Sequence, residues 1–393
     1  MDLFSLKDKV KVLLENKEYV DIVTISKQIL QEYEDEDFEY HYDQFEKVKL
    51  LNLFNDLLVG CLELKNEEVS LRIARMINGF FFGVRYQNNP EIISNLGDCK
   101  INIDLMKIPV RVINDSSNYG DAITLFLIEN LFKVKINSKR LWDPNVTYEH
   151  YITVGSILHF SNEYSHIWGS GFIEQDSFID KRYKNSKPEA VKKPKKIYCV
   201  RGPLTRQKLL DDGIICPEVY GDPAILLPLV YNPLKVELKY KYGIIPHFTD
   251  KKHPVIMNLS SEVHFIDINS GYKPFQLIDE ILKCETIISS SLHGLIVAIA
   301  YKKPCIWIKM SKLMGDSFKF NDFFTSLDYD STSSFVDLSN DVKLNLEDLE
   351  KNIVKITDDK LYKLGVNLII SNPFSEDSEK ASLLLRWGQY NLL

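Results

Sequence analysis

From about residue 108 onward, short apolar segments alternate with segments of helical periodicity, and this alternation limits the fold more than any other feature. The sequence predicts strands at residues 109–113, 151–154, 166–168, 196–200, 218–220, 242–246, 255–258, 263–266, 285–288 and 305–308. Short apolar strands that alternate with helices form parallel sheets, because each helix crosses back to start the next strand in the same direction. A break at residues 233–241 divides the pattern. We therefore expect an α/β protein with two parallel sheets and an active site in the cleft between them.

The first 107 residues follow a different pattern. Apolar side chains recur at helical spacing in three stretches, residues 10–30, 50–64 and 69–77. The segments 14–19 and 62–67 are alike, which indicates two stacked helical hairpins. The sequence therefore predicts a helical accessory domain (1–107), a first α/β domain (108–235) and a second α/β domain with a C-terminal helix (236–393). We expect the helical domain to mediate homo-oligomerisation or another accessory role.

The composition argues against several classes of protein. The chain has 393 residues, 45% of them hydrophobic, and a formal net charge of −7, which gives no basis for binding nucleic acid. No stretch approaches the ~18 uninterrupted apolar residues that span a bilayer, and the first residues lack a signal-peptide core. The six cysteines contain no C-x-x-C pair, so we expect reduced thiols in a cytoplasmic protein and no metal site.

Residues 289–294, Ser-Ser-Ser-Leu-His-Gly, carry the strongest chemical signal. They stand between a predicted strand and an apolar helix, so His293 falls in the first turn of the helix and Ser291 just before it. A helix N-terminus attracts phosphates and carboxylates through its unpaired N–H groups. A histidine placed there adds a donor that can also move a proton. The alternative interpretation is a histidine packed in a loop.

Arg201 and Asp222 follow two further predicted strands. Arg201 lies in the turn Val-Arg-Gly-Pro-Leu-Thr before a helix, where its guanidinium matches a carboxylate or phosphate bidentately. Pairing with a structural carboxylate is the alternative for Arg201. Asp222, in Gly-Asp-Pro, is restricted to extended backbone and either orients Arg201 or contacts an acceptor substrate.

Two segments of the first α/β domain are of the kind that binds sugars. In Asn118-Tyr-Gly-Asp121, the aspartate either caps the following helix or binds a sugar hydroxyl. In Trp168-Gly-Ser170-Gly, the indole is either a platform for a sugar face or a core side chain followed by a turn. The glycines in both segments allow a ligand to approach the backbone.

Cationic side chains follow strands of the second α/β domain. His247 ends the first strand, in Ile-Ile-Pro-His, and Lys319 follows the last one, in Ser-Phe-Lys-Phe-Asn-Asp. Together with His293 they predict an anion site at the strand ends. Residues 181–196 are rich in lysine and are either a solvated loop or a basic flap for an anionic substrate or a lipid surface.

Eight short motifs, in the same order across residues 108–330, resemble the polysaccharide pyruvyl transferase family. They lie at residues 118–121, 155–159, 168–171, 200–205, 221–223, 245–247, 290–294 and 318–322. The resemblance implies a GT-B-like architecture, in which two Rossmann-like domains face a cleft. It also implies transfer of a pyruvyl group from phosphoenolpyruvate to two hydroxyls of a sugar, giving a ketal on a bacterial surface polysaccharide or its lipid-linked precursor. No cofactor or metal is expected beside the donor substrate.

The resemblance assigns the donor side to the second α/β domain. By motif position, Arg201 is the clamp for the carboxylate or phosphate of phosphoenolpyruvate, and His293 is the leading general acid or phosphate ligand. His247 is the second choice for either role, Lys319 is an auxiliary cation, and Ser291 contacts the substrate. A buried anionic donor needs such groups, because neutralising a departing phosphate is an electrostatic task.

The acceptor side falls on the first α/β domain, where Asn118, Asp121 and Trp168 take the sugar. Ser170 and Asp222 are further substrate contacts. Family members act on glycan- or lipid-linked sugars, so the expected location is the cytoplasm, at the inner face of the membrane. One rival reading is a GT-B glycosyltransferase that uses a nucleotide sugar. Its donor helix often carries a nearby carboxylate, and residues 295–299 have none. A non-catalytic scaffold of glycan assembly is the other rival.

Overall fold

A computed structural model of the chain describes residues 3–33, 44–80, 107–113, 119–141, 148–175, 192–233, 236–269, 274–312, 315, 317–331 and 335–392. The chain divides into two compact units. The first comprises Met1–Pro109, Lys133–Asn137 and Thr147–Glu149, and the second comprises Val110–Phe132, Ser138–Val146 and His150–Leu393. The described residues form mixed α/β structure with two five-stranded sheets. The domain boundaries at 107/108 and 235/236 stay predictions.

Four helices make up the described part of the first 80 residues: α1 (Leu3–Glu15), α2 (Tyr19–Tyr33), α3 (Gln44–Glu63) and α4 (Glu67–Phe80). Their apolar residues recur every three or four positions, so each helix turns one face into a common core. Residues 81–106 lie outside the described part of the chain. A wholly helical segment up to residue 107 therefore stays a prediction.

The turns α1–α2 and α3–α4 have the same backbone geometry, as the likeness of their sequences predicts. Lys17 and Lys65 both adopt left-handed backbone, with φ of 61° and 54°. The N–H of Lys17 donates to the carbonyl of Leu14 at 3.0 Å, and that of Lys65 to the carbonyl of Leu62 at 2.9 Å. In both turns the next N–H donates to the carbonyl five residues before it. The two helical hairpins are thus structural repeats.

The first sheet has the strand order β2-β1-β3-β4-β5. Its pairings β1–β3, β3–β4 and β4–β5 are parallel, as the alternation of strands and helices predicts. Helices α5 (Tyr119–Phe132) and α6 (Pro203–Asp211) follow β1 and β5. The strands are β1 (Lys107–Val112), β2 (Lys135–Arg140), β3 (His150–Ile152), β4 (Ser165–Trp168) and β5 (Lys196–Cys199).

The second sheet has the order β10-β9-β8-β6-β7, and all four of its pairings are parallel. Its strands are β6 (Tyr240–Ile245), β7 (Val263–Phe265), β8 (Cys284–Ser289), β9 (Cys305–Lys309) and β10 (Val336–Asp337). Its helices are α7 (Pro254–Met257), α8 (Pro274–Leu282), α9 (Leu292–Ala300), α10 (Phe318–Thr325) and α11 (Leu346–Glu350). The apolar α9 is buried along nearly its whole length.

Both sheets reverse their strand order next to their first strand. From β1 the chain builds β2 on one side and β3 on the other, and from β6 it builds β7 on one side and β8 on the other. In open α/β sheets, ligands bind at the carboxyl ends of the strands that flank such a switch point. A ligand site is therefore expected at the loops after β1, β3, β6 and β8.

Two C-terminal helices, α12 (Asp358–Ser371) and α13 (Asp377–Leu392), complete the second unit. The carbonyl of Leu368 in α12 accepts a hydrogen bond from the indole Nε1 of Trp168 at 3.2 Å. A side chain at Gly221 would collide with Leu368, and one at Gly365 would collide with Trp387. The end of the chain therefore packs against the first sheet, a contact that the sequence did not predict.

Two predicted strands were wrong, and one strand was missed. In place of the strand predicted at 255–258, Pro254–Met257 form one helical turn, because Pro254 starts the turn and His253 caps it by accepting from the N–H of Val255. Residues 218–220 contribute one isolated bridge, between Val200 and Tyr220, instead of a strand. The polar strand β2 was missed. No helix in the described part of the chain is long and apolar enough to span a membrane.

Candidate active site

The loop after β8 is held in place by its first serine. The hydroxyl of Ser289 donates to the carbonyl of Ile245 at 2.8 Å and accepts from the N–H of Ser291 at 3.0 Å. Gly294 is required because a Cβ there would lie 2.4 Å from that hydroxyl oxygen. Ser291 is the N-cap of α9, and His293 is the second residue of the helix. The strand-loop-helix prediction for this motif is therefore confirmed.

His293 joins the switch points of the two sheets. Its imidazole packs on Gly120, the second residue of α5 after β1, so closely that a Cβ at Gly120 would lie 2.0 Å from Nδ1. Its Nε2 lies 3.9 Å from Oδ2 of Asp222, and 13% of the side chain is exposed. The N-x-G-D and S-L-H-G motifs, which are far apart in sequence, thus meet at one imidazole.

Asp222 is a buried carboxylate, and one of its two oxygens is hydrogen-bonded to the backbone. Its Oδ1 accepts from the N–H of Ala224 at 3.0 Å and caps the 3-10 helix Pro223–Leu229. Burial raises the pKa of Asp222 to about 6, against the lowering effects of the Ala224 hydrogen bond and Arg201. Its Oδ2 has no hydrogen-bond partner in the described structure. The structure brings Asp222 to His293, a pairing that the sequence did not suggest.

Arg201 is a structural cation, and the prediction that it clamps a substrate anion is corrected. Its Nε donates to Oδ2 of Asp322 at 3.0 Å, and neither side chain has exposed surface. Its remaining nitrogens donate to the hydroxyl of Ser156 and the carbonyl of Phe172, both at 2.5 Å. Gly171 leaves room for the guanidinium, since a Cβ there would lie 2.5 Å from its central carbon. All three nitrogens are therefore engaged within the protein.

Trp168 and Ser170 are core residues, and their predicted roles as substrate contacts are corrected. The indole of Trp168 is fully buried against Phe132 and Phe374, so it offers no face on which a sugar could stack. The hydroxyl of Ser170 is also fully buried and donates to the carbonyl of Gly155 at 2.9 Å. Neither side chain has exposed surface with which to reach a ligand.

His247 is fixed by a serine and a buried aspartate. Its backbone N–H donates to the hydroxyl of Ser290 at 2.9 Å, and that hydroxyl donates to Oδ2 of Asp250 at 2.7 Å. The hydroxyl of Ser311 donates to the other oxygen of Asp250. The His247 Nδ1 lies 2.7 Å from the hydroxyl of Thr249. The loops after β6, β8 and β9 are thereby linked at the backbone of His247.

Lys319 lowers the pKa of both histidines, and Arg201 lowers that of His293. Lys319 is buried in α10, with 8% of the residue exposed. Burial, together with Arg201, Lys319 and His247, lowers the pKa of His293 to about 3. Burial and Lys319 lower the pKa of His247 to about 3. Both imidazoles are therefore neutral at pH 7 in the protein alone, within a positive environment that favours an anion.

Several of the other predicted substrate contacts lie wholly or partly outside the described part of the chain. Asn118 lies outside the described residues. Asp121 lies in the first turn of α5, and its side chain is outside the described part. Of the basic stretch, residues 181–191 are likewise outside it. Ser291 is 4% exposed and acts as the N-cap of α9.

Sequence reasoning missed the residues that hold the site together. The carboxylate of Asp322 accepts a hydrogen bond from Nε of Arg201. It also accepts from the backbone N–H and the hydroxyl of Thr205, at 2.8 and 2.6 Å. Asp250 and Ser156 were missed as well. The only signal in the sequence for Asp322 was its place in a motif, since an acidic residue near Lys319 reads as a surface residue until its partner is known.

Comparisons with known proteins match the part of the chain that carries most of these residues. The family described as polysaccharide pyruvyl transferase matches residues 118–311, a range that includes Gly120, Asp222, His247 and His293. An uncharacterized protein of Acanthamoeba polyphaga mimivirus is 31% identical over 217 residues, which cover 53% of this chain and 70% of the relative. No solved structure matches the chain significantly. The motifs that meet at His293 therefore lie within the matched range, and residues 118–311 of the chain belong to the polysaccharide pyruvyl transferase family.

Proposed function

We propose that the protein transfers the pyruvyl group of phosphoenolpyruvate to two hydroxyls of a sugar and forms a ketal on a surface polysaccharide or its lipid-linked precursor. The observation that carries the proposal is the gathering of His293, His247 and Lys319 at the switch point of the second sheet, against Gly120 of the first. Membership of the family supports the reaction class. Two parallel sheets with the same reversal of strand order support a GT-B-like architecture, with the donor on the second sheet.

The negative charge of phosphoenolpyruvate complements the positive environment around His293 and His247. Phosphoenolpyruvate carries a phosphate and a carboxylate, and both suit the N–H groups at the start of α9 together with Lys319. Because Arg201 is committed to Asp322, we assign the role of the substrate cation to Lys319. A well-placed donor is typically worth about 3–4 kcal/mol toward stabilising the charge of a departing group.

Ketal formation begins with protonation of the methylene carbon of phosphoenolpyruvate. His293 is the acid in this proposal, although its pKa of about 3 leaves it neutral in the protein alone. A bound anion raises the pKa of a neighbouring imidazole, because opposite charge favours the protonated form. Binding of phosphoenolpyruvate therefore favours protonation of His293, the acid that acts on it. General acid catalysis contributes roughly 10²–10⁴-fold when the acid has a pKa near the working pH.

The acceptor sugar needs an apolar face, and Phe248 offers one in place of the buried Trp168. Phe248 is 50% exposed, and its ring centroid lies 4.4 Å from that of His247. An exposed ring beside the donor site can carry the sugar without blocking the anion. We assign the face of the acceptor to Phe248.

Isothermal titration of phosphoenolpyruvate, UDP-glucose and CMP-sialic acid tests the donor. Phosphoenolpyruvate is expected to bind the wild type and to bind His293→Gln and Lys319→Gln at least about 10-fold more weakly, a loss of ~1.4 kcal/mol. Lys363→Gln is the matched control, since Lys363 is 71% exposed and pairs with Asp359. Binding of a nucleotide sugar without phosphoenolpyruvate would refute the proposal and favour a glycosyltransferase.

A further inference from the structure

Two buried polar atoms face each other in the site without a hydrogen-bond partner in the described structure. They are Nε2 of His293 and Oδ2 of Asp222, 3.9 Å apart. The Asp222 side chain has no exposed surface. Leaving a buried polar atom unpaired costs about 1–3 kcal/mol, so such atoms call for an explanation.

The rest of each side chain is already fixed by the protein. Oδ1 of Asp222 is bound by the N–H of Ala224, which leaves only Oδ2 available. The imidazole of His293 is confined by Gly120 on its Nδ1 side. A shift of less than 1 Å from the observed 3.9 Å would bring Nε2 and Oδ2 to hydrogen-bond length. The fold thus aims one carboxylate oxygen at one imidazole nitrogen.

The charges around the pair explain why it is open in the protein alone. Arg201 and Lys319 disfavour a proton on His293, and burial disfavours the charged form of both side chains. A bound anion would offset those cations, so the proton affinity of the pair would rise on binding. The titratable groups that act on the pair are Arg201, Asp322, Lys319, His247 and the thiol of Cys199.

We propose that Asp222 is a positioning residue, which holds His293 charged through Nε2 when an anionic donor is bound, so that the two side chains share one added proton. The inference rests on the proposed function for the identity of the donor. Asp222 acts through His293 and does not touch the substrate. This assignment differs from both roles predicted for Asp222, which were orienting Arg201 and contacting the acceptor.

The proton balance of the reaction fits such a pair. A proton of the charged His293 ring moves to the methylene carbon as the C=C electrons form the new C–H bond, and a sugar hydroxyl adds to the central carbon. That hydroxyl returns its proton to the pair. Phosphate then leaves with the electrons of its C–O bond, and the second hydroxyl closes the ketal and gives its proton to the phosphate. The pair ends as it began.

Proton uptake on binding tests the inference. Phosphoenolpyruvate is titrated at pH 7 in two buffers of different ionisation enthalpy, into the wild type and Asp222→Asn. Asparagine keeps an oxygen for the N–H of Ala224, so the variant should fold. We expect uptake of about one proton in the wild type and clearly less in Asp222→Asn, with kcat reduced at least about 100-fold.

A matched control and a spectroscopic measurement complete the test. Asp279→Asn removes a carboxylate that accepts from the hydroxyl of Tyr231 and is not among the charges that act on Asp222 or His293, so it should leave proton uptake unchanged. The ¹⁵N NMR signals of His293 with donor bound should show a charged ring in the wild type and a neutral ring in Asp222→Asn. Equal uptake and a charged ring in both proteins would overturn the inference while leaving donor binding intact. Absence of binding to the wild type would overturn the proposed function and the inference together.

Discussion

The guanidinium of Arg201 and the carboxylate of Asp322 form an ion pair with a distance of 3.0 Å from Nε to Oδ2, and both side chains are fully buried. Arg201 follows β5 of the first sheet, whereas Asp322 lies in α10 beside the second. The same carboxylate accepts from the backbone and hydroxyl of Thr205. The pair therefore joins the parts of the chain that carry the two halves of the site.

Breaking that pair should destabilise the protein strongly. Asp322→Asn leaves the Arg201 guanidinium buried without its counter-charge, and loss of one partner of a buried pair typically costs about 3–5 kcal/mol. Denaturation by urea measures the loss. The exposed pair of Lys363 with Asp359 is the control, and Asp359→Asn should change the free energy of unfolding by less than about 0.5 kcal/mol. Equal effects of the two substitutions would contradict a structural role for Arg201.

Gly120→Ala should impair catalysis through His293. The added methyl would lie 2.0 Å from Nδ1, so the imidazole must move. A displacement of about 1 Å can cost ~100-fold in rate. Gly388→Ala is the matched control, because a Cβ at that helical position meets nothing within 4 Å. It should keep full turnover and gain up to about 1 kcal/mol of stability. Unchanged turnover in Gly120→Ala would contradict the placement of His293.

Asp222→Asn should stabilise the fold at neutral pH while reducing activity. The pKa of Asp222 is about 6 in the folded protein against an ordinary 3.8, so the folded state binds more protons between these values. Stability contributed by this group therefore falls as pH rises from about 4 to 6, by ~3 kcal/mol in all. Thermal unfolding should show the variant more stable than the wild type at pH 7 and equal to it near pH 4. A variant that is less stable at pH 7 would contradict the burial penalty.

Phe248→Ala should raise KM for the acceptor sugar by about 10-fold, with little change in KM for phosphoenolpyruvate, because the ring contacts only the acceptor in our assignment. Steady-state kinetics with each substrate varied in turn separates the two constants. Phe265→Ala is the control, since Phe265 is a 39% exposed aromatic at the end of β7. A larger effect on phosphoenolpyruvate would place Phe248 on the donor side.

The sequence predicted most of the parallel strands and the position of His293, because both depend on local patterns. Apolar runs of four to six residues between turns mark buried strands, and a serine-rich loop before an apolar run marks a helix start. The helical hairpins were visible for the same reason, through their similar turns at Lys17 and Lys65. Strand β2 was missed because Lys-Ile-Asn-Ser-Lys-Arg has no apolar run.

The partners of charged and aromatic side chains could not be predicted, because they come from distant parts of the chain. Arg201 finds Asp322, which lies 121 positions away, and Trp168 is covered by α12, where Leu368 lies 200 positions away. An arginine at a strand end and a tryptophan before glycines look alike in sequence whether they face a ligand or a core. Only the fold distinguishes the two cases.

The most direct test of the account is the fate of ¹³C-labelled phosphoenolpyruvate incubated in D₂O with the protein and a panel of methyl hexosides. The account predicts release of one phosphate for each product formed. It also predicts a ¹³C signal of a ketal carbon bonded to two sugar oxygens, with a methyl group that carries one deuterium from solvent. Phosphoenolpyruvate that stays intact while UDP-glucose or CMP-sialic acid is consumed on the same panel would contradict it.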